Sequence, residues 1–308
     1  MAVLSFSSYS QPRYYNAKVT FAIETFAFLK GQDAALEKIA GQFPGLSADV
    51  RAAEKKLDEV YGQAQYNIKE YLKKEVEHHQ LQKFQQQLDS LLDLQLQQPI
   101  EKESHARGFL MQVTERPASM CDSALSKGIL SFKYHNEPHQ EILDGHIAFF
   151  QAKDHPKAGN GSMSVPIPAS WLAEEAEMPQ TIQQFTSCYG NGTEKIFLVV
   201  HDLPAAYGNT VADQNSMMDF LSPDATLLRS EMVSIDGMPA LMTEVEEPVP
   251  SGHKEMKIRM LQFLIIKNQK LYCIQGSTLP AVSTENLEPQ IKKNERLFRL
   301  IAARTELD

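Results

Sequence analysis

The sequence predicts an α+β protein: an all-helical N-terminal region followed by an antiparallel sheet flanked by helices, an α/β/α sandwich. Three observations carry this. Apolar residues recur every three or four positions from about Asn16 to Asp144. From His146 the period falls to two, and Asp236-Gly237 and Asn268-Gln269 supply tight turns between strand-like runs. The end of the chain then returns to a helical period. With 308 residues, two domains are expected at roughly 100–200 residues each. The division expected is 1–15 as a signal remnant or disordered tail, 16–145 as a helical domain with a long helix over 47–98, and 146–308 as the α+β domain.

Ala2 to Gln11 (AVLSFSSYSQ) passes from apolar to small residues. Ser8-Tyr9-Ser10 has the small-x-small pattern that signal peptidase prefers, although a positive n-region and a full apolar stretch are missing. The segment reads as a signal remnant, with a disordered native N-terminus as the alternative. The location expected is periplasmic or otherwise extracytoplasmic, with cytoplasmic as the alternative.

Asn16 to Phe43 reads as a helix with Val19, Ala22, Ile23, Phe26, Leu29, Leu36 and Ile39 on a broad apolar face. Pro44-Gly45 breaks it, and Ser47 is an N-cap candidate for the next helix, with Asp49 suited to the helix dipole. Val50, Ala53, Leu57, Val60 and Ala64 form a heptad seam that slips to Ile68, Leu72 and Val76 and resumes at Leu81, Phe84, Leu88 and Leu91. Unbroken to Pro99, it would reach ~75 Å at 1.5 Å per residue, so a break near Glu77–Gln80 or a protruding arm is expected. The first helix can cover about half of this seam, so the remainder must pack elsewhere or join another chain. Ser104–Glu115, Ser119–Leu130 and Pro138–Asp144 read as shorter helical pieces.

In the second half, His146–Lys153 and Ser162–Ile167 are strand-like around a Gly- and Asn-rich loop at Asp154–Gly161, the expected site of proteolytic cleavage between domains. Pro179–Phe185 begins a further element, and Lys195–His201 is a continuous apolar run typical of a buried strand. Val211–Phe220 reads as helical. Leu227–Ile235, Pro239–Glu246, Met256–Lys267 and Lys270–Ser277 read as four successive antiparallel strands, and Leu287–Ala303 as the closing helix.

This half resembles the PsbP-like family, the extrinsic protein of the oxygen-evolving photosystem and its bacterial exported relatives. The resemblance lies in Ser164–Trp171 (SVPIPASW), in Ile235–Ala240 (IDGMPA), and in Leu261–Tyr272 (LQFLIIKNQKLY), followed by a terminal helix. It covers roughly residues 146 to 304 and leaves the helical half unassigned. It implies a central antiparallel sheet flanked by helices and an accessory or docking role. It carries no catalytic motif, metal or cofactor across.

Composition excludes several classes. Lys plus Arg is 30 and Asp plus Glu is 39, a net charge of −9, which excludes a global basic footprint for nucleic acid. The Lys55-Lys56, Lys73-Lys74 and Lys292-Lys293 pairs are interleaved with acids on helices and read as solvated faces. No apolar run approaches the ~20 residues of a membrane helix, so no integral membrane protein is expected. Cys121, Cys188 and Cys273 lack zinc or thioredoxin spacing. One disulfide between Cys188 and Cys273 is open to the chain, against a reading of semi-buried thiols.

Catalytic and cofactor-binding residues are not identified, and no cofactor is expected. His135 and His139, with Glu137 and Glu141 nearby, are the least weak metal candidates, since i and i+4 imidazoles share a helical face. Pro138 between them disfavours that helix, so a solvated loop is expected. His78-His79 point apart on a helix. Ser187, Ser234 and Cys188 lack the surroundings of a nucleophile. Glu174, Glu175 and Glu177, and Glu244 and Glu246 on one strand face, are paired carboxylates of the kind glycosidases use, with a polar sheet face as the cheaper account. Gly159-Asn160-Gly161 and Gly190-Asn191-Gly192 match no phosphate loop.

The expectation is a non-enzymatic exported accessory protein of the bacterial cell envelope, binding a protein partner or itself through the helical region. The alternatives are a small-ligand or lipid binder, or a hydrolase with its site between the halves.

Overall fold

A computed structural model describes residues 17–115, 123–176, 181–204, 218, 220–249, 255–278 and 280–307. The helical half contains α1 (Ala17–Gln42), a 3-10 turn at Pro44–Leu46, α2 (Ser47–Glu75), α3 (His78–Gln97), α4 (Glu103–Glu115), α5 (Ala124–Lys133) and α6 (His139–Leu143). Asp49 lies in the first turn of α2 and Lys73 and Lys74 in its last, each sign facing the end of the helix dipole that suits it. Val76 is extended, with φ −112° and ψ 135°. The segment 47–98 is therefore two helices and not one long one, interrupted just before Glu77, where the apolar seam slips.

The seam of α2 is covered within the chain. Ala64, Ile68 and Leu72 pack with Ala22 and Phe26 of α1 and with Ile129 and Phe132 of α5. Val50 and Ala53 pack with Leu36 and Ile39 of α1 and with Leu110 and Val113 of α4. Helix α1 thus meets the α2 seam near both of its ends, and α4 and α5 complete the cover, while Leu91 at the end of the seam in α3 stays exposed. Burial of each large side chain contributes roughly 1.5–3 kcal/mol. Asn67 ties α2 to α5 by donating to the carbonyls of Phe132 (2.8 Å) and Lys133 (3.1 Å), which lie at a helix end that leaves carbonyls without intrahelical partners.

The sheet half contains β1 (Ile147–Gln151), β2 (Met163–Pro168), β3 (Leu172–Glu174), β4 (Thr181–Thr186), β5 (Lys195–Asp202), β6 (Thr226–Ile235), β7 (Met238–Val249), β8 (Met256–Lys267), β9 (Lys270–Ser277), β10 (Ala281–Val282), α7 (Glu288–Ala303) and β11 (Glu306–Leu307). All pairings are antiparallel, in a small sheet of order β1-β2-β11 and a large one of order β3-β4-β5-β9-β8-β7-β6, with β10 against β8. Strand β8 shows why these runs are apolar throughout. Leu261, Phe263 and Ile265 face the core shared with Ile291, Leu297, Phe298 and Ile301 of α7. Leu264 and Ile266 face a second cluster on the other side, as a period of two requires. Gly276 of β9 lies beneath the Phe298 ring, where a Cβ would clash.

The structure bears on three of these readings. The loop over 154–161 joins β1 to β2, which pair in one sheet, so it is no linker between halves. Ile142 of α6 belongs to the core of the sheet half, so packing carries that half back beyond 146. Cys188 and Cys273 are both free and buried, in separate apolar clusters, so they form no disulfide. Residues 1–16, Cys121 and most of the helix expected over Val211–Phe220 lie outside the described residues. Among the described residues no helix is long and apolar enough to cross a membrane.

Candidate functional site: a polar cleft between the two halves

The two halves meet around a cleft of about 500 Å³. Helix α2 forms one wall. Asn67, Glu70, Tyr71 and Lys74 line it, at the three- and four-residue spacing that puts side chains on one helix face. Tyr66 lies beside them and is 60% exposed. Lys18 comes from the first turn of α1, His135 and Asn136 from the turn after α5, Thr193 from the loop before β5, and Lys293 from α7. The site therefore draws its lining from both halves, with Lys293 as the contribution of α7.

Its floor is ionic. The buried Lys18 lies 3.9 Å from Glu194 and 5.5 Å from the centroid of the Tyr71 ring. Burial works against the Lys18 charge, but Cys188 and Glu194 outweigh it and hold its pKa above the usual value. Burial likewise opposes the Glu194 charge, while Lys18 and the Ser187 hydroxyl pull its pKa down to about 2. Both groups stay charged across the physiological range. Lys293 is lowered to about 8, first by burial and then by repulsion from Lys18. His135 is lowered to about 3 by burial and by Lys293, so its ring is neutral. It packs edge-on against Tyr71 at 5.5 Å.

This arrangement suits binding better than covalent chemistry. Ser187 donates its hydroxyl proton to Glu194, a carboxylate too weak as a base at pKa about 2 to activate it. The Cys188 thiol is raised by burial and is disfavoured as a thiolate. What the cleft offers is ammonium groups, a tyrosine face and hydrogen-bonding side chains around a space of ligand size.

The candidates from sequence are mostly dispersed. His135 faces Lys293, whereas Glu141 is buried and accepts from the Ser170 backbone N–H (2.7 Å) and hydroxyl (2.8 Å). His139 begins α6, so His135 precedes that helix and the two imidazoles do not share its face. Among the described residues no group of three His, Cys, Asp or Glu side chains is placed to hold a metal ion. Glu244 is buried between Arg229 (2.5 Å) and Arg259 (2.6 Å), and Glu246 pairs with Lys257 (2.9 Å). These carboxylates are engaged by cations on the sheet. Glu174 accepts from Gln184 and Thr186.

Sequence reasoning missed Lys18, Tyr71, Glu194 and Lys293. Lys292 does sit on a solvated face, pairing with Glu288, but Lys293 turns into the cleft. The available signal was Lys18, a lone cation opening a long apolar stretch.

No protein-family model and no curated protein matches the chain. Among solved structures it is similar to cyanobacterial PsbP of Synechocystis, with 16% identity and a TM-score of 0.35, over 52% of this chain and 93% of that one. It is similar to LpqN, involved in cell envelope biogenesis of Mycobacterium tuberculosis, with 14% identity and a TM-score of 0.32, over 54% and 94% of the two chains. It is also similar to the Ran-binding protein Mog1p of Saccharomyces cerevisiae, with 10% identity and a TM-score of 0.31, over 52% and 95%. Similarity at this level carries no activity across.

Proposed function

We propose that this protein is a non-enzymatic accessory protein that binds a small ligand in the cleft between its halves. The observation that supports this most is the cleft itself: about 500 Å³ walled by α2, the 135–136 turn, Thr193 and α7, within the ~300–1,000 Å³ of small-molecule sites. An extracytoplasmic setting belongs to the same proposal, on the pattern of Ser8-Tyr9-Ser10. Its check is the N-terminus of the protein isolated from cells.

The test is a thermal-shift screen of the full chain against a library of small metabolites, repeated on Thr193→Trp, which fills the cleft. A ligand bound only by the folded state raises the melting temperature. Compounds whose stabilisation disappears in the Trp variant support the reading. Compounds that stabilise both proteins equally, or a library that stabilises neither, count against it.

A second reading, a partner protein docking on the helical half, is favoured by exposed apolar residues. Leu91 and Leu94 of α3 are 53% and 59% exposed and Met111 of α4 is 54% exposed, close in the fold to an apolar groove of about 280 Å³ between α1, α3 and α4.

A further inference from the structure

We infer that the cleft takes a small organic anion, its phosphate or carboxylate oxygens between Lys293 and Lys74 and the rest of the molecule against Tyr66. This inference rests on the ligand-binding reading above.

Three positions argue for it. Lys293 is half-buried, and the group it meets is the His135 Nε2 at 3.4 Å, a neutral ring. Among the described residues no carboxylate pairs with it. Taking an ammonium out of water without a counter-charge is costly, and neighbouring Lys292 on the same helix avoids the cost by pairing with Glu288 at the surface. Lys74 is exposed and bears no such burial cost, but it too is open to a ligand: Lys73 pairs with Glu70 at 2.6 Å, whereas Lys74 lines the cleft with no carboxylate at ion-pair distance among the described residues. The two ammonium groups and Lys18 repel one another, which is part of what lowers Lys293. Lys18 already has Glu194, so an incoming anion finds Lys293 and Lys74.

Size and surroundings narrow the class. The cleft, at about 500 Å³, holds far more than an inorganic ion. Tyr66 lines it while 60% exposed, a ring face available to an organic moiety. Glu70 and Glu75 also border the cleft, and the whole chain carries −9. Long polyanions such as RNA would meet those acids, whereas a compact anion reaches the lysines alone.

The experiment is calorimetric titration of the full chain at low ionic strength with pyrophosphate and with citrate, one probe for each oxyanion. The variants are Lys293→Met, Lys74→Met and the surface control Lys292→Met. Saturable binding of either probe, weakened about tenfold or more by Lys293→Met and Lys74→Met as expected for loss of a charge-assisted contact and little changed by Lys292→Met, supports the inference. The probe that binds identifies the oxyanion. If Lys293→Met fails to fold, Lys74→Met, at an exposed position, decides alone. Binding of neither probe overturns the inference, as does equal weakening by Lys292→Met. If neither probe binds yet neutral compounds still lose their thermal shift in Thr193→Trp, the anion is wrong and the ligand-binding reading stands. Loss of both removes that reading as well.

Discussion

The Lys293 ammonium lies 3.4 Å from Nε2 of His135, 158 positions earlier in the chain. One residue belongs to the closing helix of the sheet half and the other to the turn after α5, so the contact joins the halves. His135 is held at about 3 by burial first and by Lys293 second. Lys293→Met therefore raises the His135 pKa, though only in part because burial remains. A proton NMR titration of the imidazole reads this directly, and an unmoved titration curve would show that the two groups do not interact in solution.

Glu141 makes stability depend on pH. Burial raises its pKa to about 7 even though the Ser170 hydroxyl and backbone N–H favour its charge. In the unfolded chain it titrates at its ordinary value near 4.5. The folded state thus holds a proton that the unfolded state has lost between those values. Its contribution is fully present below about 4.5 and is lost as pH rises through about 7, up to roughly 3 kcal/mol. Glu141→Gln can still accept from the Ser170 N–H through its amide oxygen, with its NH2 donating to the Ser170 hydroxyl in place of accepting from it, and should flatten this part of the stability profile in urea titrations. An unchanged slope would assign the pH dependence elsewhere.

Asn67→Ala should destabilise the protein by about 1–3 kcal/mol. It leaves the Phe132 and Lys133 carbonyls, which accept from Asn67, without that donor at a mostly buried site. A denaturant midpoint within error of the parent would mean that water replaces the amide at no cost.

Two glycines give opposite signs. Gly276→Ala puts a methyl group into the Phe298 ring and should cost about 1–3 kcal/mol as an overpacked core position. Gly31→Ala, within α1 and with open space around the new Cβ, should stabilise by about 0.5–1 kcal/mol. Thermal denaturation of the two variants checks both, and the same sign for each would contradict the packing described.

Much of the fold is readable along the chain because its signals are local. The turns at Asp236-Gly237 and Asn268-Gln269 use residues at positive φ, and β6 to β9 follow from them. The end of α1 follows from Pro44. The site is less legible because it depends on distant parts. Lys293 looks like Lys292 in sequence, and only the placement of α7 beside the 135–136 turn, across the cleft from α2, distinguishes a cleft lysine from a surface one. Glu141 reads in sequence as part of a solvated loop beside two histidines, since no local pattern shows that Ser170 will close over it. The break at Val76 was signalled by the slip of the seam, but the cover that α4 and α5 give α2 was not. Tertiary packing decides that, and helix periodicity does not contain it.

Amide hydrogen–deuterium exchange of the full chain tests the central claim most directly. The comparison is between free protein and protein with the compound that stabilises it most in the thermal-shift screen. A ligand seated between the halves should slow exchange on both walls together, over 66–75 in α2 and over 288–296 in α7, with the 135–136 turn. Protection confined to one wall, or centred on the groove between α3 and α4, would contradict the account.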